Sequence, residues 1–191
     1  MKLNNCPECE INQVCYGGDL YAKIDDREAF CKAEKIRNLV DFKVTPNFWF
    51  SEFIKTNHKE YLRDNYAYAV ENYEKVEKLA QLLERVRELC ENNAVIITSS
   101  VRCRKLNEII KGSPTSQHCR GEAADFTVKN KTVDEIFEII KLSDIEFGQL
   151  ILEKVNGVWW IHLSLGYPYR EKERCNEVFI YDGKKYTKIE R

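Results

Sequence analysis

The stretch SPTSQHCRGEAADF, residues 113–126, fits neither an ordinary buried strand nor a plain surface loop. It contains one of the three histidines of the chain, His118, seven residues before Asp125. A buried strand is usually rich in β-branched and aromatic residues, whereas this one reads Ala-Ala-Asp. The small residues Gly121 and Ala123 would let the backbone approach a bound group closely. The spacing therefore makes His118 and Asp125 candidates for one shared site.

The segments before and within this stretch predict two helices and two strands in a mixed order. Apolar residues recur every three or four positions from about residue 66 to residue 92, which predicts one long amphipathic helix. The β-branched run AVIITSS, residues 94–100, predicts a strand. Residues 104–112 predict a short helix that Gly112 closes. The stretch itself continues into a second strand, EAADFTV.

The segments after it predict one helix and two hairpins. Thr132 and Glu135 have the spacing of a capping box, which opens the helix VDEIFEIIKL. The pair Asn156-Gly157 separates two apolar runs, a strong signal for a hairpin with a type I′ turn. An Asp-Gly pair in VFIYDGKKYTKI predicts a second hairpin at the end of the chain. We therefore expect an α+β fold, a small antiparallel sheet with flanking helices.

The first hairpin brings a carboxylate and an imidazole onto one sheet face. A two-residue turn that pairs Val155 with Val158 sets two further pairs opposite each other: Glu153 with Trp160, and Ile151 with His162. Because side chains alternate along a strand, Glu153 is then the diagonal neighbour of His162. Polar groups on an apolar face cost free energy unless they are satisfied. Two interpretations remain open: a simple Glu153–His162 hydrogen bond, or a metal site that includes the residues of the opening stretch.

A metal site would use residue types that zinc prefers. His118, Asp125 and His162 would supply three ligands, with water in the fourth position, which is the pattern of catalytic zinc. Glu153 would then act as the base that takes a proton from that water.

The bulk composition excludes several classes of function. The length of 191 residues fits one ordinary domain with an additional segment. Lys+Arg 30 against Asp+Glu 31 gives a net charge of -1, which does not favour nucleic acid or anionic membranes. We find no apolar run long enough to span a bilayer and no apolar core of a signal peptide. We therefore expect no nucleic-acid partner, no membrane insertion and a chain that is cytoplasmic as synthesised.

The cysteines divide the chain into two parts. Four of the eight lie in the first 31 residues: Cys6, Cys9, Cys15 and Cys31. They would hold a second, structural metal, or they are free thiols or disulfides formed after release from the cell. We expect Cys103 and Cys119 to be small buried apolar side chains. Residues 1–40 are thus predicted to form a cysteine-rich segment, and residues 41–191 a separate domain.

The motifs taken together resemble a known family. SQHCRGEAAD is similar to the Ser-x-His-x-x-Gly-x-Ala-x-Asp motif of the zinc D-alanyl-D-alanine carboxypeptidases and endopeptidases, which include phage endolysins, vancomycin-resistance dipeptidases and hedgehog-like relatives. TSSVRCRKLN resembles their Ser-Gly-Tyr-Arg segment with its downstream Asn, WIHLSL their Trp-Val-His-Val-Ser strand, and NFWFSEF their Phe-x-x-Ser-Glu-Phe opening. The resemblance covers roughly residues 44–166. It implies the hedgehog and D-Ala-D-Ala peptidase-like fold.

The resemblance also implies roles for individual residues. It implies one catalytic Zn²⁺ held by His118, Asp125 and His162. It further implies that Arg102 contacts and polarises a substrate carbonyl or carboxylate, and that Ser116 helps to hold the peptide. Two departures stand out: Trp159 occupies the position where many members carry the catalytic acid, and Ser100-Val101 replaces the Gly-Tyr before the arginine.

Two classes of function follow. The first is a zinc peptidase that cleaves bonds next to D-alanine in the stem peptides of peptidoglycan, and that would act on the cell wall after release if the protein is of phage type. The second is a zinc-binding recognition or virion structural module of the same fold, without turnover. Fold resemblance alone does not choose between them, but Glu153 and Arg102 favour the enzyme. Neither the exo- or endopeptidase specificity nor the oligomeric state follows from the sequence.

Overall fold

The computed structural model describes residues 41–191, which form a six-stranded sheet with flanking helices. The helices are α1 (Phe50–Ile54), α2 (Leu62–Glu71), α3 (Tyr73–Leu89), α4 (Arg104–Ile109) and α5 (Val133–Leu142). The strands are β1 (Val95–Ser99), β2 (Ala123–Val128), β3 (Gln149–Val155), β4 (Val158–Ser164), β5 (Glu177–Tyr181) and β6 (Tyr186–Ile189). Short 3₁₀ turns cover Lys59–Tyr61, Gln117–Arg120 and Lys172–Arg174. The α+β prediction is confirmed.

The sheet is mixed, which departs from the antiparallel sheet that the sequence predicts. Its strand order is β1-β2-β4-β3-β5-β6, and β3 and β5 pair in parallel while the other neighbours are antiparallel. Both edges of β4 are already occupied, by β2 and β3, so β5 cannot pair with the strand that precedes it. The chain from residue 165 to residue 176 instead leads β5 to the free edge of β3. The connection between the parallel strands β3 and β5 thus contains β4 as well as residues 165–176, which satisfies the need of a parallel pair for a dozen residues or more.

The two faces of the sheet differ in character. One face packs against α3 and α5 to form the core. The fully buried residues of this core include Phe126, Leu150, Ile161 and Leu163 from the sheet, Val76, Leu79 and Leu83 from α3, and Ile136 and Ile140 from α5. The opposite face carries Asp125, His162 and Glu153. In the part of the chain from residue 41 onward, no helix has the length and apolar composition needed to cross a membrane.

The single long helix predicted over residues 66–92 is wrong. Asn72 separates α2 from α3, and its side-chain amide donates to the carbonyl oxygen of Tyr68 at 2.9 Å. An asparagine that bonds the nearby backbone in this way competes with continued helix formation. The apolar repeat continues across the break, so periodicity alone does not reveal it.

Gly112 does not have the predicted role of helix cap. Helix α4 ends at Ile109, and Lys111 takes the left-handed conformation with φ of 56°. A Cβ at Gly112 would lie 2.2 Å from Oδ1 of Asn107. Glycine is required here because it leaves room for the Asn107 side chain, which in turn contacts Arg102.

The turn signals are confirmed. Thr132 and Glu135 form both hydrogen bonds of the capping box that opens α5. Asn156 and Gly157 have φ of 50° and 82°, and Val155 pairs with Val158 as the type I′ turn requires. The C-terminal hairpin also forms, with Tyr181 opposite Tyr186 across a longer loop.

Candidate metal centre and substrate cleft

Three separate elements bring His118, Asp125 and His162 together. His118 lies in the 3₁₀ turn Gln117–Arg120, Asp125 in β2 and His162 in β4, directly opposite Asp125 in the strand register. Gly121 ends the 3₁₀ turn in the left-handed conformation, with φ of 69°, so that the chain can turn into β2. One donor atom from each of the three residues lies within 4.8 Å of the other two. The structure thus unites the predicted ligand set.

The ring of His118 is held in one orientation. Its Nδ1 atom lies 2.8 Å from the carbonyl oxygen of Ser100, which can only accept a hydrogen bond. Nδ1 therefore carries the proton, and Nε2 points to Oδ1 of Asp125 at 3.2 Å. Nε2 is thus the atom of His118 that is available to a cation.

The ring of His162 is also held in one orientation, but its two nitrogens have exchanged roles relative to those of His118. Its Nδ1 atom lies 2.9 Å from Oδ1 of Asp125, and its Nε2 atom lies 3.0 Å from Oε1 of Gln117. The Gln117 oxygen accepts a hydrogen bond from the N–H group at Nε2, so the unprotonated Nδ1 faces Asp125. Both imidazoles therefore present one inner nitrogen to the same carboxylate oxygen and bond an outer acceptor through the other nitrogen.

Charge is concentrated at this centre. Burial by itself would raise the pKa of Asp125, but the charge and hydrogen bond of His118, together with the contact to His162, hold it well below its usual range. Two imidazole nitrogens facing one ionised carboxylate oxygen require either two protons or a shared cation. The cluster is therefore built to hold positive charge.

The donor set fits zinc. Two imidazole nitrogens and one carboxylate oxygen are the ligand types of an open catalytic zinc site. Zinc–ligand bonds of that kind in a tetrahedron separate neighbouring donor atoms by about 3.3 Å, and Oδ1 of Asp125 lies 3.2 Å and 2.9 Å from the two nitrogens. His118 and His162 both have the outer hydrogen bonds that orient metal-binding imidazoles. The residues present thus match the metal in type and number, and both distances to Asp125 are close to those of a zinc site.

Glu153 lies where the hairpin register predicts. It pairs with Trp160, and Ile151 pairs with His162, so Glu153 is diagonal to His162 on the same face. Burial raises the pKa of Glu153, and the Asp125 charge adds to this, while His162 and Arg102 oppose it. A carboxylate with a raised pKa in a cleft is suited to accepting and returning a proton.

Arg102 is positioned by neutral groups. Its two terminal nitrogens donate to Oδ1 of Asn107 at 3.3 Å and to Oγ of Ser99 at 3.1 Å. Neither partner neutralises the guanidinium charge, so the charge stays available to an anionic or polarised group of a ligand. Ser116 is the residue immediately before the 3₁₀ turn and also lines the cleft.

These residues line one cleft of about 750 Å³. Its walls include the cluster of His118, Asp125 and His162, together with Glu153, Arg102 and Ser116. The C-terminal hairpin adds Phe179 and Tyr186. A volume of this size accommodates a short peptide or a molecule of similar size. The metal cluster and the candidate catalytic residues therefore share one space that a substrate can enter.

The sequence model of a known family matches this region. The model, described as Peptidase M15, covers residues 46–164, more than half of the chain. The chain belongs to the peptidase M15 family. The match includes α1, the cluster and the β3–β4 hairpin, and it confirms the resemblance to zinc D-Ala-D-Ala peptidases. Membership in the M15 family implies a zinc-dependent metallopeptidase. A search of curated proteins found no significant match.

Some predictions fall outside the described residues, and some contacts were not predicted. Cys6, Cys9, Cys15 and Cys31 lie outside the described residues, so a second metal there stays a prediction. Cys103 and Cys119 are buried, as expected. The sequence analysis missed Gln117, Ser164 and Asn107 as partners of the site residues. Two of them had a sequence signal. Ser164 lies two residues after His162 and therefore on the same strand face, and Asn107 is the asparagine downstream of Arg102 in the segment that resembles the family.

Proposed function

We propose that this protein is a zinc-dependent peptidase that hydrolyses the peptide bond next to D-alanine in peptidoglycan stem peptides. The observation that carries the proposal is the shared cleft, in which Glu153 and Arg102 flank the cluster of two histidines and Asp125. Membership in the M15 family supports the peptidase class. A site that served only to stabilise the fold would have no need of a carboxylate and a guanidinium facing the same open cleft.

Each residue has a distinct role in hydrolysis. Zinc, when bound by His118, Asp125 and His162, supplies a Lewis acid and makes nearby water more acidic. Glu153 accepts a proton from the attacking water and returns it to the amine that leaves when the peptide bond breaks. Arg102 donates to the carbonyl oxygen, or to a nearby carboxylate of the substrate, and so stabilises negative charge that develops there.

Two details of the activity are part of the proposal. The cleft lies on an open face of the sheet, which supports binding of an extended peptide. If the protein is a lysin of phage type, it would reach the cell wall once it is released from the cell. A zinc-binding recognition module without turnover is the competing function, and Glu153 and Arg102 support the enzyme over it.

The decisive experiment combines zinc content with product analysis. Zinc-loaded protein is incubated with purified peptidoglycan and with stem peptides that end in D-Ala-D-Ala, and the products are identified by mass spectrometry. Release of free D-alanine would indicate a carboxypeptidase, and release of larger stem fragments an endopeptidase. The His162→Ala variant is the negative control. Zinc binding without cleavage of either substrate would contradict the proposal and favour the recognition module.

A further inference from the structure

The side chain of Gln117 connects the two histidines of the cluster in an unexpected way. Gln117 precedes His118 in the chain, yet its side-chain oxygen lies 3.0 Å from Nε2 of the other histidine, His162. Its amide nitrogen donates to Oγ of Ser164 at 2.8 Å. The amide thus spans from the imidazole to a serine two residues further along β4.

Several contacts fix the orientation of this amide. The backbone N–H of Gln149 also donates to Oγ of Ser164, at 2.9 Å, so the serine oxygen acts as acceptor for two donors. A Cβ at Gly148 would lie 2.7 Å from the same oxygen, so glycine lets the start of β3 come close enough for this bond. The backbone of Gln117 is held as well, because its carbonyl accepts from the N–H of Glu122 at 3.1 Å. The nitrogen of the amide therefore faces Ser164 and its oxygen faces His162.

We infer that Gln117 is a positioning residue for the metal centre, which holds His162 with its proton on Nε2 and its lone pair on Nδ1. A neutral imidazole has one N–H group and one lone pair, and the acceptor at the first decides where the second points. Gln117 provides that acceptor, so Nδ1 of His162 is directed to the position beside Asp125 where a cation binds. The inference rests on the zinc site of the proposed function.

The corresponding acceptor for His118 is a backbone carbonyl, that of Ser100, which no substitution removes. His162 depends on a side chain instead, and the contribution of that side chain can be measured. Outer partners of metal-binding histidines typically change metal affinity about 10- to 100-fold when they are lost. Gln117→Leu removes the acceptor, whereas Gln117→Glu keeps an oxygen at the same reach.

The first test measures zinc affinity by competition with a chromophoric chelator, on the full chain. We expect Gln117→Leu to weaken zinc binding about 10- to 100-fold, and Gln117→Glu to bind zinc at least as tightly as the wild type. Gln149→Leu is the matched control, because Gln149 lines the same cleft but contributes only its backbone N–H to the network. Wild-type affinity in Gln117→Leu would overturn the inference, as would equal losses in Gln117→Leu and Gln117→Glu.

The second test needs no variant, so it holds even if Gln117→Leu does not fold. The ¹⁵N chemical shifts of the His162 ring in the zinc-loaded wild type report which nitrogen carries the proton. A proton on Nε2 and metal on Nδ1 support the inference, and a proton on Nδ1 overturns it. Both tests measure metal binding and not turnover. A protein that holds zinc in this way but cleaves no peptide would therefore contradict only the proposed function, and a wild type that binds no zinc would contradict both.

Discussion

Nδ1 of His118 lies 2.8 Å from the carbonyl oxygen of Ser100, and this bond joins the metal cluster to the segment that carries Arg102. A second bond runs in the opposite direction, from the backbone N–H of Arg102 to the carbonyl oxygen of His118 at 3.1 Å. The 3₁₀ turn that carries His118 and the segment that carries Arg102 therefore fix each other's position. The position of Arg102 is thus coupled to the position of His118 by one bond from a side chain to the backbone and one bond between backbone groups.

The first prediction concerns the metal ligands. His118→Ala, Asp125→Ala and His162→Ala should each lower the zinc content of the purified protein by one equivalent, because each removes one of three converging donors. The measurement is elemental analysis after dialysis against a weak chelator. His58→Ala is the control, since this third histidine lies outside the cluster. An unchanged zinc content in all three variants would show that other residues bind the zinc.

The second prediction concerns Glu153. Glu153→Gln should retain zinc but lower turnover about 10²- to 10⁴-fold, the usual contribution of a general base. Because burial raises the pKa of Glu153 and the base must be ionised, wild-type activity should fall as the pH is lowered through that raised pKa. Steady-state kinetics across pH would detect both effects. Glu146→Gln, an exposed control, should behave as the wild type. Full activity in Glu153→Gln would place the base elsewhere.

The third prediction concerns Arg102. Arg102→Lys keeps the positive charge but loses the planar fork that donates to Asn107 and Ser99. We expect kcat/KM to fall about 10- to 100-fold, equivalent to one charge-assisted hydrogen bond, while zinc affinity stays unchanged. Arg104→Lys, two residues away and exposed, is the matched control. Unchanged kinetics in Arg102→Lys would mean that charge alone is sufficient at this position.

The fourth prediction concerns stability and pH. Glu84 of α3 accepts three hydrogen bonds from the loop before α1: from Oγ1 of Thr45 at 2.7 Å, and from the backbone and side-chain amides of Asn47, both at 2.9 Å. Burial raises the pKa of Glu84, but these bonds outweigh it and lower the pKa overall. A lowered folded-state pKa contributes stability above the unfolded pKa, and that stability is lost as the pH falls through the folded value.

Glu84→Gln should therefore lower the free energy of unfolding by about 1 kcal/mol at pH 7. The difference from the wild type should shrink as the pH falls through the folded-state pKa of Glu84. Urea unfolding at several pH values tests this. Glu88→Gln on the same helix is the control, since its ion pair with Arg85 is exposed and contributes little. A difference that persists unchanged at acidic pH would rule out the ionised carboxylate as its source.

The fifth prediction concerns the first 40 residues. A protein that consists of residues 41–191 should fold and bind one zinc, because the cluster and the core around α3 and α5 lie within it. Far-UV circular dichroism, cooperative unfolding and zinc titration provide the measurement, with the full chain as reference. Loss of cooperative unfolding would show that residues 1–40 contribute to the core.

Local chemistry accounts for what could be predicted. The Asn156-Gly157 turn acts over a few residues, and it is sufficient to set Glu153 diagonal to His162. Likewise, the seven-residue spacing of His118 and Asp125 accommodates one 3₁₀ turn and its glycine before β2 begins. Patterns that extend over a few residues can be interpreted without the rest of the chain, because the turn type sets the strand register and side-chain alternation sets the face of each residue.

Contacts between distant segments could not be predicted in the same way. The Asn72 break is a local exception, which was missed because the apolar repeat of the helix continues across it. The bond from His118 to Ser100 and the contact of Gln117 with His162 join residues 18 and 45 positions apart. Neither residue type nor spacing signals such a contact. The acceptor for His118 is a backbone carbonyl, which every residue has, and glutamine is mostly found at exposed positions.

The sequence by itself thus predicted that His118, Asp125 and His162 cluster, and it determined the hairpin register and the family to which the chain belongs. The tertiary structure alone decided which nitrogen of each histidine faces Asp125, and that β5 pairs in parallel with β3. The reason is physical. Turns and strand alternation are settled by interactions between near neighbours, whereas strand order and the outer partners of a buried imidazole depend on which edges and acceptors remain free once the rest of the chain has packed.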